Sequence, residues 1–73
     1  METTFGNVLR QIMSEADVSV SELSRWVKVS KGYLSDILNN KKPPPSARII
    51  LDIATVLNSN KYILLEAAGK VDP

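Results

Sequence analysis

Five cations, Arg25, Lys28, Lys31, Lys41 and Lys42, fall between positions 25 and 42 and meet a single carboxylate there, Asp36. That stretch carries a net charge of +4, residues 1–24 carry −3, residues 43–73 balance at zero, and the whole chain stands at +1. Positive charge concentrated in an otherwise neutral chain suits a surface that faces phosphates, because lysine and arginine there displace condensed counterions from a nucleic acid. On charge alone, a solvated face whose lysines confer only solubility is an equal alternative. Other chemistry is poorly supplied. The chain has no Cys and no His, which removes thiolate metal sites, disulfides, the commonest general base and the strongest nucleophile. Only Ser, Lys, Tyr and carboxylates remain, so no catalytic residue, metal ligand or cofactor is expected and an enzyme is a remote reading.

A chain of 73 residues, 44% hydrophobic and 23% charged, has the balance of one globular domain running over 1–73. The longest apolar run, Tyr62-Ile63-Leu64-Leu65, is far short of the ~20 residues that span a bilayer. Met1-Glu2-Thr3-Thr4 shows no basic segment leading into an apolar stretch, so the expected location is cytoplasmic, away from membranes.

Positioning the lysines falls to helices. Phe5, Val8, Leu9, Ile12, Met13 and Ala16 repeat at helical spacing and predict a first helix over about 4–15. Ser19 and Glu22 have the spacing of a capping box and start a second helix, 20–27, that turns Val20, Leu23 and Val27 inward. Ser30 caps a third, 31–39, with Leu34, Ile37 and Leu38 on its apolar stripe, Lys31, Gly32, Tyr33, Ser35 and Asp36 on its polar side, and Asn39-Asn40 suited to a left-handed ending. Pro43-Pro44-Pro45 predicts a stiff extended connector. Ser46 then caps a fourth helix, 47–57, carrying Ile49, Ile50, Ile53, Ala54 and Leu57 inward. Asn60 caps a fifth, 61–68, which Gly69 stops before a frayed end over Lys70 to Pro73. Trp26, Leu51, Val56, Tyr62 and Ile63 fall outside these stripes or at their edge. With about three residues between helices two and three, the connection fits a helix-turn-helix corner.

From Ser19 to Lys41, with Val29-Ser30, Gly32-Tyr33-Leu34-Ser35 and Ile37 as the most telling positions, the chain resembles the helix-turn-helix of the Cro and lambda-repressor-like (XRE-type) family. The likeness continues through Phe5-Gly6 and Leu9-Arg10 on one side and Pro43 to Ser46, Ile53-Ala54 and Leu64 to Gly69 on the other, so it covers almost the whole chain. It implies a compact all-α fold of five helices and sequence-specific binding of double-stranded DNA by a transcriptional regulator, expected to be a repressor. Three departures stand out. Ser24 replaces a customary small Ala, which leaves room for helix three. Lys28 stands where a left-handed Gly is frequent, at a cost of about 1 kcal/mol if that backbone is kept. Met13 and Leu38 occupy positions where relatives pair an Arg with a Glu, so an apolar contact is expected in place of an ion pair.

Carried over by position, the resemblance turns Lys31, Gly32, Tyr33, Ser35 and Asp36 toward the bases. Lys31 would donate to guanine O6 and N7, Asp36 would accept from cytosine N4, Ser35 would discriminate weakly, and Gly32 would permit close approach. Tyr33 has three roles open to it: a thymine methyl, a phosphate, or a partly buried packing ring. Phosphate contacts would come from Ser19, Ser21, Lys28, Ser30, Asn39, Asn40, Lys41 and Lys42, although a Ser cap is more often purely structural. Tyr62 and Ile63 are the expected interface of a weak homodimer on a pseudo-palindromic operator. The competing reading is a protein-interaction module of the same fold, such as an antitoxin or a regulatory subunit that binds a protein partner.

Overall fold

Small polar residues start every helix of the computed structural model, which describes residues 4–70. The helices are α1 (Phe5–Ala16), α2 (Val20–Val27), α3 (Lys31–Leu38), α4 (Ala47–Leu57) and α5 (Lys61–Ala67), and no strand occurs among the described residues. Thr4, Ser19, Ser30, Ser46 and Asn60 each accept a hydrogen bond from a backbone N–H of the first turn, which satisfies a donor the helix leaves orphaned. At α2 the box is reciprocal: Glu22 N–H donates to Ser19 Oγ at 3.1 Å, and Ser19 N–H donates to Glu22 Oε1 at 3.2 Å.

Left-handed residues end three of the helices: Asp17 (φ 57°), Lys28 (φ 59°) and Asn58 (φ 52°). Asp and Asn tolerate this conformation, and Lys does not share their local hydrogen bonding. Lys28 therefore keeps the backbone for which glycine would be the unstrained choice, and the turn is not reshaped around it. The third helix stops at Leu38, one residue short of the spacing, because Asn39 (φ −91°, ψ 8°) already leaves the helix and Asn40 (φ 59°) turns left-handed. The fifth stops at Ala67, where Gly69 (φ 72°) redirects the chain. Lys70 is tied in, its N–H donating to the Leu65 carbonyl at 2.8 Å, so the end does not fray there. Residues 71–73 of the expected frayed end and residues 1–3 of the start lie outside the described residues.

Every helix contributes to one core. Leu9, Leu23, Leu34, Ile37, Ile50, Ile53 and Leu64 are fully buried, each worth about 1.5–3 kcal/mol of transfer free energy. α1 packs on α3, α4 and α5, while α2 packs on α3 and α4, so α3 is held from two sides. Ser24 is buried with its hydroxyl donating to the Ser21 carbonyl at 2.9 Å, which lets α2 and α3 meet without an unsatisfied group. Pro45 is buried in the connector. Two residues differ from their stripe assignments. Ala16 is exposed, since it borders an open groove beside Leu57 to Asn60 that its short side chain cannot cross. Val56, placed at the edge, packs partly against the core. No helix among the described residues is long and apolar enough to cross a membrane.

Candidate nucleic-acid interface

The exposed side of α3 is short, and its support comes from α1. Gly6 lies so close to the end of α3 that a Cβ there would stand 2.6 Å from the Leu38 carbonyl oxygen and 2.8 Å from that of Ile37. Its N–H donates to Asn40 Oδ1 at 3.3 Å. One turn further along α1, Arg10 Nε donates to the Leu38 carbonyl at 3.3 Å and its Nη2 donates to Asn39 Oδ1. The last carbonyl of α3 thus finds a charged donor from another helix, an interaction stronger than one between neutral groups. Met13 and Leu38 are both buried in the core, as expected for an apolar pair. The polar tie between α1 and the end of α3 comes from Arg10, which bonds backbone and amide oxygens.

On the frame so fixed, the side chains expected to read bases divide into two groups. Lys31 and Gly32, in the first turn of α3, are exposed, and a Cβ on Gly32 would meet nothing within 4 Å. Tyr33, Ser35 and Asp36 are half-buried. Asp36 is engaged: its Oδ2 lies 3.9 Å from Lys42 Nζ, and the same ammonium sits 5.3 Å from the centroid of the Tyr33 ring. The packing role open to Tyr33 is therefore partly filled, since the ring also lies against the core.

Several of the residues expected at phosphates already serve the fold. Ser19 and Ser30 are caps, Asn40 accepts from Gly6, and Asn39 accepts from Arg10 while its Nδ2 donates to Ser35 Oγ at 3.5 Å. Their oxygens are occupied as acceptors, yet a Ser hydroxyl hydrogen or an Asn amide hydrogen remains to donate to an anion. Ser21, Lys28 and Lys41 are exposed. Lys41 and Lys42 line one depression with Thr4, the cap of α1, and Phe5, its first residue, which brings the start of α1 beside the loop after α3. Tyr62 and Ile63 lie away from these residues in sequence, on α5, 61% and 52% exposed.

Gly6 and Arg10 carry functions that the spacing did not assign to them. A glycine inside a helical stripe was the available signal, because it forfeits about 1 kcal/mol against Ala unless something must come close. Arg10 left no comparable mark.

A family model described as a helix-turn-helix domain matches residues 4–60. The chain belongs to that family. This helix-turn-helix domain is 33% identical over 61 residues to the HTH-type transcriptional regulator SinR of Bacillus subtilis (strain 168), a match covering 84% of the chain and 55% of the relative. It is 30% identical over 67 residues to SinR of Bacillus licheniformis, covering 92% and 60%. The chain thus spans a little over half the length of these curated relatives. A crystal structure of SinR, a master regulator for biofilm formation, in complex with DNA superposes with a TM-score of 0.78 at 32% identity, covering 85% of this chain and 98% of that one.

Proposed function

We propose that this chain binds double-stranded DNA and regulates transcription, with α3 in the major groove. The observation that carries the reading is the likeness in both sequence and fold to SinR, solved in complex with DNA. The exposed first turn of α3 supports it: Lys31 offers donors for guanine O6 and N7, and bare Gly32 leaves the backbone free to come close. Ser35 and Asp36 follow on the same helix, with Asp36 suited to a cytosine N4 amino group. Lys28, Lys41 and Lys42, with the donor hydrogens of Ser19, Ser21, Ser30, Asn39 and Asn40, supply the phosphate contacts that set register. Repression is the expected direction of control, and no catalytic step is assigned to the chain.

A random-duplex selection at stated salt tests this. Enrichment of a defined motif, in an inverted repeat if two copies act together, is the expected result; absence of affinity for any duplex in dilute buffer overturns the reading. A second reading, a surface for a protein partner or a weak homodimer, is favoured by the exposure of Leu51, Tyr62 and Ile63. In a dimer the two α3 helices would stand about 34 Å apart. Sedimentation on operator-length DNA that stays at one copy per duplex would remove the dimer and leave DNA binding intact.

A further inference from the structure

Lys42 stands apart from the other cations of the 25–42 stretch. Among the described residues no other lysine is paired with a carboxylate, and Lys42 is held twice, by Asp36 Oδ2 at 3.9 Å and by the face of Tyr33 at 5.3 Å. Both partners belong to α3, while Lys42 lies in the loop beyond it, so these interactions fold a loop cation back onto the proposed base-reading helix. An ammonium in that position is drawn toward α3 and away from the phosphate backbone. Asp36 and Lys42 are 39% and 49% exposed at the side chain, which makes the pair weak and readily exchanged. Left unpaired, the carboxylate would be repelled by a DNA backbone; paired, it cancels one of the few positive charges a random duplex could use.

We propose that Asp36 determines specificity by holding Lys42 off the phosphate backbone until a base-edge amino group takes the lysine's place. The inference rests on the DNA-binding reading above. On a random duplex the Asp36–Lys42 pair stays closed and Lys42 neutralises no phosphate. On a site with a cytosine opposite α3, the N4 amino group donates to Asp36, the pair opens, and Lys42 moves to a phosphate. Discrimination then has two sources, the hydrogen bond between Asp36 and the base and the phosphate that the freed lysine neutralises.

The test is a set of salt titrations with the full chain and the variants D36N, D36E, K42M and D36N/K42M, on the selected duplex and on a random one. D36N should tighten binding to the random duplex by about two- to fivefold, the range of an exposed ion pair. It should also steepen the salt slope there by about 0.9, the value of one additional phosphate neutralised. In the K42M background the same Asp36 change should leave the salt slope as it was, since it relieves only the repulsion of an unpaired carboxylate and frees no cation for a phosphate, and D36E should keep the wild-type behaviour. If D36N changes the salt slope equally with and without Lys42, Asp36 acts only through its charge and the inference falls. If D36N leaves random binding unchanged while the wild type binds its selected duplex, the inference falls and the DNA-binding reading stands. Wild-type protein that binds no duplex sinks both.

Discussion

The α3 side and the α4–α5 side of the molecule are both open to solvent, and they are built in opposite ways. The first presents charge on a short helix whose end is fastened by Gly6, Arg10 and Asn40. The second presents Leu51, Tyr62 and Ile63, apolar residues 39–61% exposed, on helices whose inner faces form the core. A surface of the first kind gains affinity from counterion release and weakens with salt. One of the second kind gains it from buried apolar area and is nearly insensitive to salt. The contrast teaches that salt separates the two sides in an experiment, since the proposed DNA contacts and the exposed apolar residues share no side chain.

The heaviest blow to the α3 side is Gly6→Ala. The added methyl has only backbone carbonyls and Asn40 to push against, so the start of α1 must leave the end of α3; a loss of about 2–3 kcal/mol is expected in a denaturant melt. A variant as stable as the wild type would show that the close approach supports nothing. Next comes Lys31→Ala, expected to remove about 1–3 kcal/mol of preference at one base pair with little change on random duplexes. Equal loss on both would make Lys31 a phosphate ligand instead. Lys28→Gly should raise stability by about 1 kcal/mol, since it relieves the left-handed backbone at φ 59°, and should cost some salt-dependent affinity if Lys28 meets a phosphate.

Gly32→Ala separates fold from function most cleanly. Nothing lies within 4 Å of the new methyl, so helix propensity alone should add about 0.5–1 kcal/mol of stability, while DNA affinity should drop if α3 approaches the bases there. A more stable variant with unchanged affinity would place Gly32 away from the duplex. The smallest change in stability is expected on the other side. Ile63→Ser should alter it by no more than about 0.5 kcal/mol, while weakening any self-association seen in sedimentation.

What could be read from the sequence was mostly local. Ser19, Ser30, Ser46 and Asn60 mark helix starts because a cap acts on an N–H two or three residues away, and the helical stripes placed the fully buried residues of the first four helices correctly, while the seven residues of α5 gave no stripe that singled out Leu64. The ties that hold the interface are not local. Gly6 meets Asn40 and Arg10 meets Leu38 across separations of 34 and 28 residues, and no spacing rule links them. The Asp36–Lys42 pair was hidden for a different reason: it depends on Asn40 turning left-handed, which sends the loop back along α3. Resemblance assigned both residues to DNA, one to bases and one to phosphate, without showing that they meet.

The most direct test compares how salt weakens binding to one duplex in the wild type and in a Lys28→Ala/Lys41→Ala double variant, which removes two of the proposed phosphate ligands. If the α3 side carries the affinity, the logarithm of the binding constant should fall linearly with that of salt, and the double variant should lose up to about 1.8 of the slope, about 0.9 for each phosphate no longer neutralised. A slope that both lysines leave unchanged, or one altered by Ile63→Ser instead, would contradict the assignment of DNA to α3.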